Sequence, residues 1–189
     1  MSVSQSKSAL LVMDMQNNIV SRYVSNNELL YPFQQAVEAA RRSDIMVIYA
    51  KVSFRSGYPE ISPRNKMFGA IRARAGAVTV SEAMDIHEAV TPLPKEPVVT
   101  KLRVSAFAGS DLDIILRSNQ IDTLILTGIA TSGVVLSTLR EAADKDYTLK
   151  VLSDACIDAD EEVHRVLMEK VFPHQAEVLT VKDWVNTIR

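Results

Sequence analysis

Residues 123–146 read TLILTGIATSGVVLSTLREAADKD. A short apolar run ends in Gly128 and a group of small residues, and the chain then opens directly into an amphipathic segment. A run of that length followed by helical periodicity predicts a strand that hands its carboxyl end to a helix N-terminus. Unpaired N–H groups in the first helical turn then face the space beyond the strand, where they can meet an anion. At the start of this helix, where a nucleophile would be sought, the side chains are those of Gly133, Val134 and Val135.

The same alternation extends in both directions. Apolar runs at 9–15, 44–52, 97–101, 149–155 and 176–181 join the one at 123–129, and helix-like stretches lie at 28–43, 110–119, 132–146 and 160–172. Strands apolar on both faces and separated by helices predict a parallel sheet covered on both sides, with right-handed crossovers: an α/β, doubly wound, three-layer sandwich. Ser110 and Asp160 are the expected N-caps of two of these helices, each with acidic residues in the first turn. The irregular stretch 53–77 carries Pro, Gly and Arg and predicts a loop with one short helix after Pro63, a candidate lid. No repeat or linker divides the chain, so residues 1–189 are expected to form one domain.

Of 189 residues, 47% are hydrophobic and 23% charged, with 21 basic and 23 acidic side chains. That balance does not point to nucleic acid or anionic lipid as the main partner, and the expected partner is a small molecule. The apolar start ALLVM is cut by Asp14, too short for a signal segment, and no run reaches the roughly 18–20 residues of a membrane span, so a cytoplasmic protein is expected. His87, His164 and His174 lack metal-ligand spacing, and Cys156 is the single cysteine, so neither a metal nor a disulfide is expected. Neither GxGxxG nor GxxxxGK[ST] occurs, so no nucleotide cofactor is expected through those motifs.

Ligands of doubly wound sheets bind at strand carboxyl ends, where strand order reverses. The first run ends in Asp14-Met15-Gln16, the third at Lys101 and the fourth at Gly128–Thr131. If the reversal falls between the first and fourth strands, a carboxylate, an ammonium and a helix N-terminus share one crevice. Burial would raise the Asp14 pKa and Lys101 lower it, so the pair suits acid–base work.

The segments LLVMDMQNN, VVTKLRVSAFAGSDLDIIL and LILTGIATSGVVLSTLREAADKDY resemble, in order and at matching spacing, the signature segments of the isochorismatase-like cysteine hydrolase superfamily. The resemblance implies a Rossmann-like α/β/α sandwich of about six parallel strands, a homodimer or homotetramer, and an Asp-Lys-Cys triad in the amidohydrolase members. On those positions Asp14 is the acid/base, Lys101 the charge partner, and Val134 replaces the cysteine. It also implies backbone donors from Thr131, Ser132 and Gly133 and a non-proline cis peptide near Ile129-Ala130, while Gln16 and Phe107 are candidate substrate neighbours.

Valine cannot attack a carbonyl, so cysteine amidase chemistry is excluded at Val134. The superfamily's isochorismatases work without the cysteine by cleaving a vinyl ether, which needs a proton donor and water but no nucleophilic side chain. This reading assigns Asp14 the proton, Lys101 the positioning of acid and substrate carboxylate, and Arg55 and Arg64 further anion recognition. A catalytically silent ligand-binding or oligomeric partner protein is the alternative, and an amide hydrolase with an unconventional nucleophile is third. Ser132 and Ser137 lie near Val134, but no histidine is close in sequence to activate either. Asn18 and Ile19 stand where the family has an acid and an aromatic, and the nicotinamidase metal segment is absent.

Overall fold

The computed structural model describes residues 7–74 and 84–188. Six parallel strands, β1 (Ser8–Met13), β2 (Met46–Val52), β3 (Val98–Lys101), β4 (Thr123–Ile129), β5 (Thr148–Ile157) and β6 (Glu177–Leu179), form one sheet in the order β3-β2-β1-β4-β5-β6. The order runs backward from β1 and forward from β4, so the reversal lies between these two neighbours, as expected. The helices are α1 (Asn17–Tyr23), α2 (Tyr31–Arg42), α3 (Lys66–Arg74), α4 (Leu112–Ser118), α5 (Leu136–Asp144), α6 (Glu161–Val166) and α7 (Val181–Thr187).

Period-two alternation along β1 feeds two separate cores. Ala9, Leu11 and Met13 pack with Leu112 and Leu116 of α4 and Leu139 and Ala142 of α5. Leu10 and Val12 pack with Phe33, Ala36 and Val37 of α2 and Val181 and Trp184 of α7. Both faces of the strand are therefore dry, which is why its sequence is an unbroken apolar run.

Asp160 caps α6 as expected, its Oδ1 accepting from the N–H groups of Glu162 and Val163. The Ser110 hydroxyl accepts from Leu112 N at 3.2 Å, but α4 starts only there, two residues later than the expected stretch. The stretch expected as one helix from 132 begins as a wide π turn over Thr131–Val135 and becomes regular at Leu136. Similarly, 160–172 is α-helical only to Val166; a π turn over Leu167–Val171 and a 3-10 turn at Phe172–His174 follow, with Pro173 unable to continue the ladder. The helices α1 and α7 were not expected, since each is two turns long and buries only one or two side chains, too few to set a period. Helix α3 does follow Pro63; residues 75–77 of the candidate lid lie outside the described residues.

Candidate active site

Strand β1 ends at Met13, paired with Ala50 of β2 and Gly128 of β4. Gly128 permits this approach: a Cβ there would lie 2.6 Å from the Met13 carbonyl oxygen. Asp14 still donates its N–H to Ala50 O at 2.8 Å, then leaves the sheet with a φ of 56°. Asp tolerates this left-handed conformation better than most residues. Gln16 fills the gap left by the departing strand. Its Oε1 accepts Val52 N–H at 2.8 Å, and its Nε2 donates to Val52 O at 3.1 Å and Met84 O at 2.9 Å. Its amide thus mimics a further strand residue and braces the site.

Lys101 lies opposite Val52, at the end of β3 and two strands from β1. Its stem crosses the end of β2 and sets Nζ 3.0 Å from Asp14 Oδ2 and 3.0 Å from the Arg103 carbonyl oxygen. Both side chains are buried, at 2% exposure for Lys101 and 10% for Asp14. The second carboxyl oxygen, Asp14 Oδ1, is buried and has no hydrogen-bond partner among the described residues. Burial pushes the Asp14 pKa up to about 6, against the opposing charge and hydrogen bond of Lys101. The result is a carboxyl group that changes protonation near neutrality, one oxygen held and the other uncommitted.

Strand β4 leads to a cis peptide at Ile129-Ala130. Ile129 is buried in the α2-side core, and Ala130 packs against it. Beyond lies a tightly bonded turn. Ser132 N–H donates to Asp158 Oδ2 at 2.7 Å, and Gly133 N–H donates to Ala130 O at 3.1 Å. Two of the three expected anion donors are thus engaged within the chain. Val134 is 2% exposed and belongs to the same core as Met13 and Phe107. Phe107 stacks on Tyr147 at 6.2 Å between ring centroids, with Lys145 Nζ 5.4 Å from its own ring centroid, so its ring serves packing. The Thr131 hydroxyl, fully buried, lies 2.8 Å from His164 Nδ1.

An isochorismatase domain matches residues 8–183. The chain belongs to the isochorismatase family. Ureidoacrylate amidohydrolase RutB of Stutzerimonas stutzeri is 30% identical, the match spanning 100% of this chain and 82% of that protein. The isochorismatase family protein YwoC of Bacillus subtilis is 27% identical, over 97% of this chain and 95% of its own. Among solved structures, a cysteine hydrolase from Pseudomonas syringae pv. phaseolicola superposes with a TM-score of 0.87 over 96% of this chain and 92% of that one, at 24% identity, a likeness of fold. N-carbamoylsarcosine amidase from Thermoplasma acidophilum gives 0.74 at 26% identity, over 93% and 96%. The protein is an isochorismatase-family hydrolase.

In this family member the 53–74 segment is tied down beside the pair. Arg103, two residues after Lys101, donates to Glu60 O at 2.8 Å and sits 5.9 Å from the centroid of the Phe68 ring, which packs edge-on against Phe54. The Arg55 guanidinium, expected to bind anions, is paired with Glu60. Arg64 is exposed, and its backbone N–H donates to Ser62 Oγ at 3.3 Å. Cys156 is buried, and desolvation pushes its thiol pKa up, so it behaves as an apolar group. A separate hollow of about 310 Å³, lined by Asn27, Leu30, Gln34, His87, Glu88 and Ala89, contains none of the residues above. Among the described residues there is no cluster of three or more His, Cys, Asp and Glu able to hold a metal, and no helix is long and apolar enough to cross a membrane. Sequence reasoning missed Arg103, Asp158 and His164. The last two lie 26 and 33 residues from their partners, beyond the reach of any local spacing signal.

Proposed function

We propose that this hydrolase cleaves the enol-ether bond of a small anionic metabolite, with Asp14 as proton donor and Lys101 as its positioning cation. The observation that carries this reading is the divided carboxyl group of Asp14, with Oδ2 held by Lys101 and Oδ1 buried and unpartnered. A protonated Oδ1 delivers its proton to the terminal carbon of a vinyl ether. The carbon–carbon π bond breaks, and the positive charge is shared between the ether carbon and oxygen. Water bonds to that carbon, and the hemiketal collapses to a ketone and an alcohol. No covalent enzyme intermediate is needed, which suits a chain with Val134 at the family's nucleophile position.

An anionic substrate fits the charge balance. When Asp14 holds its proton, Lys101 is a buried cation without a counter-charge, and a substrate carboxylate would supply one. Hydrolysis of a C–N bond is the second reading, favoured by the amidohydrolase relatives; it requires a nucleophile other than Val134. Incubating purified protein with isochorismate and a panel of small amides, beside Asp14→Asn, tests both. Vinyl-ether turnover that survives Asp14→Asn overturns the acid role, and turnover confined to amides favours the second reading.

A further inference from the structure

The three most deeply buried threonines among the described residues differ in what they bond. The hydroxyl of Thr127 donates to Leu11 O at 2.9 Å, and that of Thr138 accepts Ala106 N–H at 2.9 Å. Each of these hydroxyls thus has a backbone partner, as buried polar groups usually do. Thr131 instead meets an imidazole, His164 Nδ1 at 2.8 Å. Its place is also different. Thr131 follows β4 by two residues, Asp14 follows β1 by one, and β1 and β4 are neighbours at the sheet's reversal, paired as far as Met13 and Gly128.

The charges around His164 favour a ring that takes and returns a proton. Asp158 is the charge that bears on it, and the same carboxylate is fixed by Ser132 N–H at 2.7 Å. Asp160, one turn earlier, spends its carboxylate on Glu162 and Val163 N–H, and Arg165 is paired with Glu162 and Glu169. Burial holds the His164 pKa below its ordinary value, with Asp158 opposing, so the ring is neutral at pH 7. The Thr131 hydroxyl on His164 Nδ1 is a bonded pair through which a proton can pass, with the Asp158 charge close enough to favour the imidazolium.

We propose that Thr131 and His164 form the base arm of the reaction whose acid arm is Asp14, receiving the proton of the attacking water. This rests on the enol-ether reading above. After Asp14 has protonated the carbon, the water oxygen bonds to the cationic carbon. One water proton passes to Thr131 Oγ1 as the hydroxyl proton of Thr131 passes to His164 Nδ1. In the collapse, the hemiketal hydroxyl proton returns to the Asp14 carboxylate and the carbon–oxygen bond to the leaving alcohol breaks. The imidazolium proton returns through Thr131 to the leaving oxygen. Both arms regain their starting states, and the net change is addition of one water.

The first test needs no substrate. In the ¹⁵N-labelled full chain, long-range ¹H–¹⁵N NMR from pH 5 to 8, assigned with His164→Asn, reads the tautomer of His164. The expected result at pH 7 is a neutral ring with the proton on Nε2 and Nδ1 as acceptor, its shift altered by Thr131→Val. A proton on Nδ1, or an imidazolium at pH 7, overturns the relay. With isochorismate as substrate, His164→Asn keeps an acceptor for Thr131 but cannot carry a proton. It is expected to lose about 100-fold in kcat and the acidic limb of the pH profile, while Thr131→Ser stays within about tenfold. His164→Asn at wild-type rate, with Asp14→Asn inactive, overturns the relay and leaves the acid reading standing. Activity retained in Asp14→Asn overturns the acid reading itself.

Discussion

Two ion pairs of this protein, one partly buried and one buried, are built differently. Arg41 grips Glu96 through two contacts of 2.8 Å, and donates as well to Thr91 O and the Tyr49 hydroxyl, while Glu96 also accepts Leu93 N–H. Both carboxyl oxygens of Glu96 have partners. Burial works against its charge, but the Arg41 hydrogen bonds, Leu93 N–H and the Arg41 charge together hold its pKa below the usual carboxylate range. Asp14 belongs to the more deeply buried pair, yet one of its oxygens has no partner among the described residues and its pKa rises to about 6. A fully bonded pair fixes a charge in place. A half-bonded one keeps the proton exchangeable, which serves chemistry and costs stability.

The contrast can be broken at several points. The largest expected effect is Asp14→Asn, which should lower kcat/KM on a vinyl ether by about 1,000-fold, roughly 4 kcal/mol, with the far-UV circular dichroism unchanged. Next, Glu96→Ala should remove the hydrogen bonds that Glu96 makes with Arg41 and Leu93 and destabilise the fold by about 2 kcal/mol in urea unfolding, while kcat/KM stays within about twofold. Equal loss of activity in both variants would erase the distinction between the pairs. Third, the protonated form of Asp14 is the proposed active one, and its share shrinks once the pH passes the pKa. The rate should therefore fall above pH about 6, by close to tenfold per unit, and Lys101→Met should move that limb upward by removing the charge that opposes protonation. A limb that moved downward would contradict the assigned roles. Smallest is Val134→Cys, a change of similar volume in a packed core, expected to cost under about 1.5 kcal/mol. Thiol-dependent amide hydrolysis in that variant would mean that the valine alone separates this chain from cysteine chemistry.

The sheet was largely legible from sequence, because a strand dry on both faces must be apolar at every position and its length then marks its ends. Asp14 and Lys101 were legible as charged residues closing such runs, and Val134 through its register with the family segment. Gln16 was legible as a site residue in the broad sense; that its amide replaces a lost strand depends on where Val52 and Met84 come to lie. The expected anion donors at Ser132 and Gly133 met internal acceptors, Asp158 and Ala130. Arg55 met Glu60. In each case the partner was not legible in the sequence, for the same reason. A donor's availability is set by its neighbours in space, and for Ser132 that neighbour is 26 residues away in the chain.

By itself, then, the sequence determined the order of the strands and of the longer helices between them, the placement of an acid and a lysine at strand ends, and a valine, Val134, where the family resemblance implies a cysteine. These follow from hydrophobic period and residue chemistry, which act locally. Only the tertiary structure decided that Lys101 reaches over β2 to hold one oxygen of Asp14 and leave the other, and that His164 meets Thr131. Those outcomes turn on differences of a few ångströms between groups far apart in the chain, and hydrogen bonding and desolvation are decided at that scale.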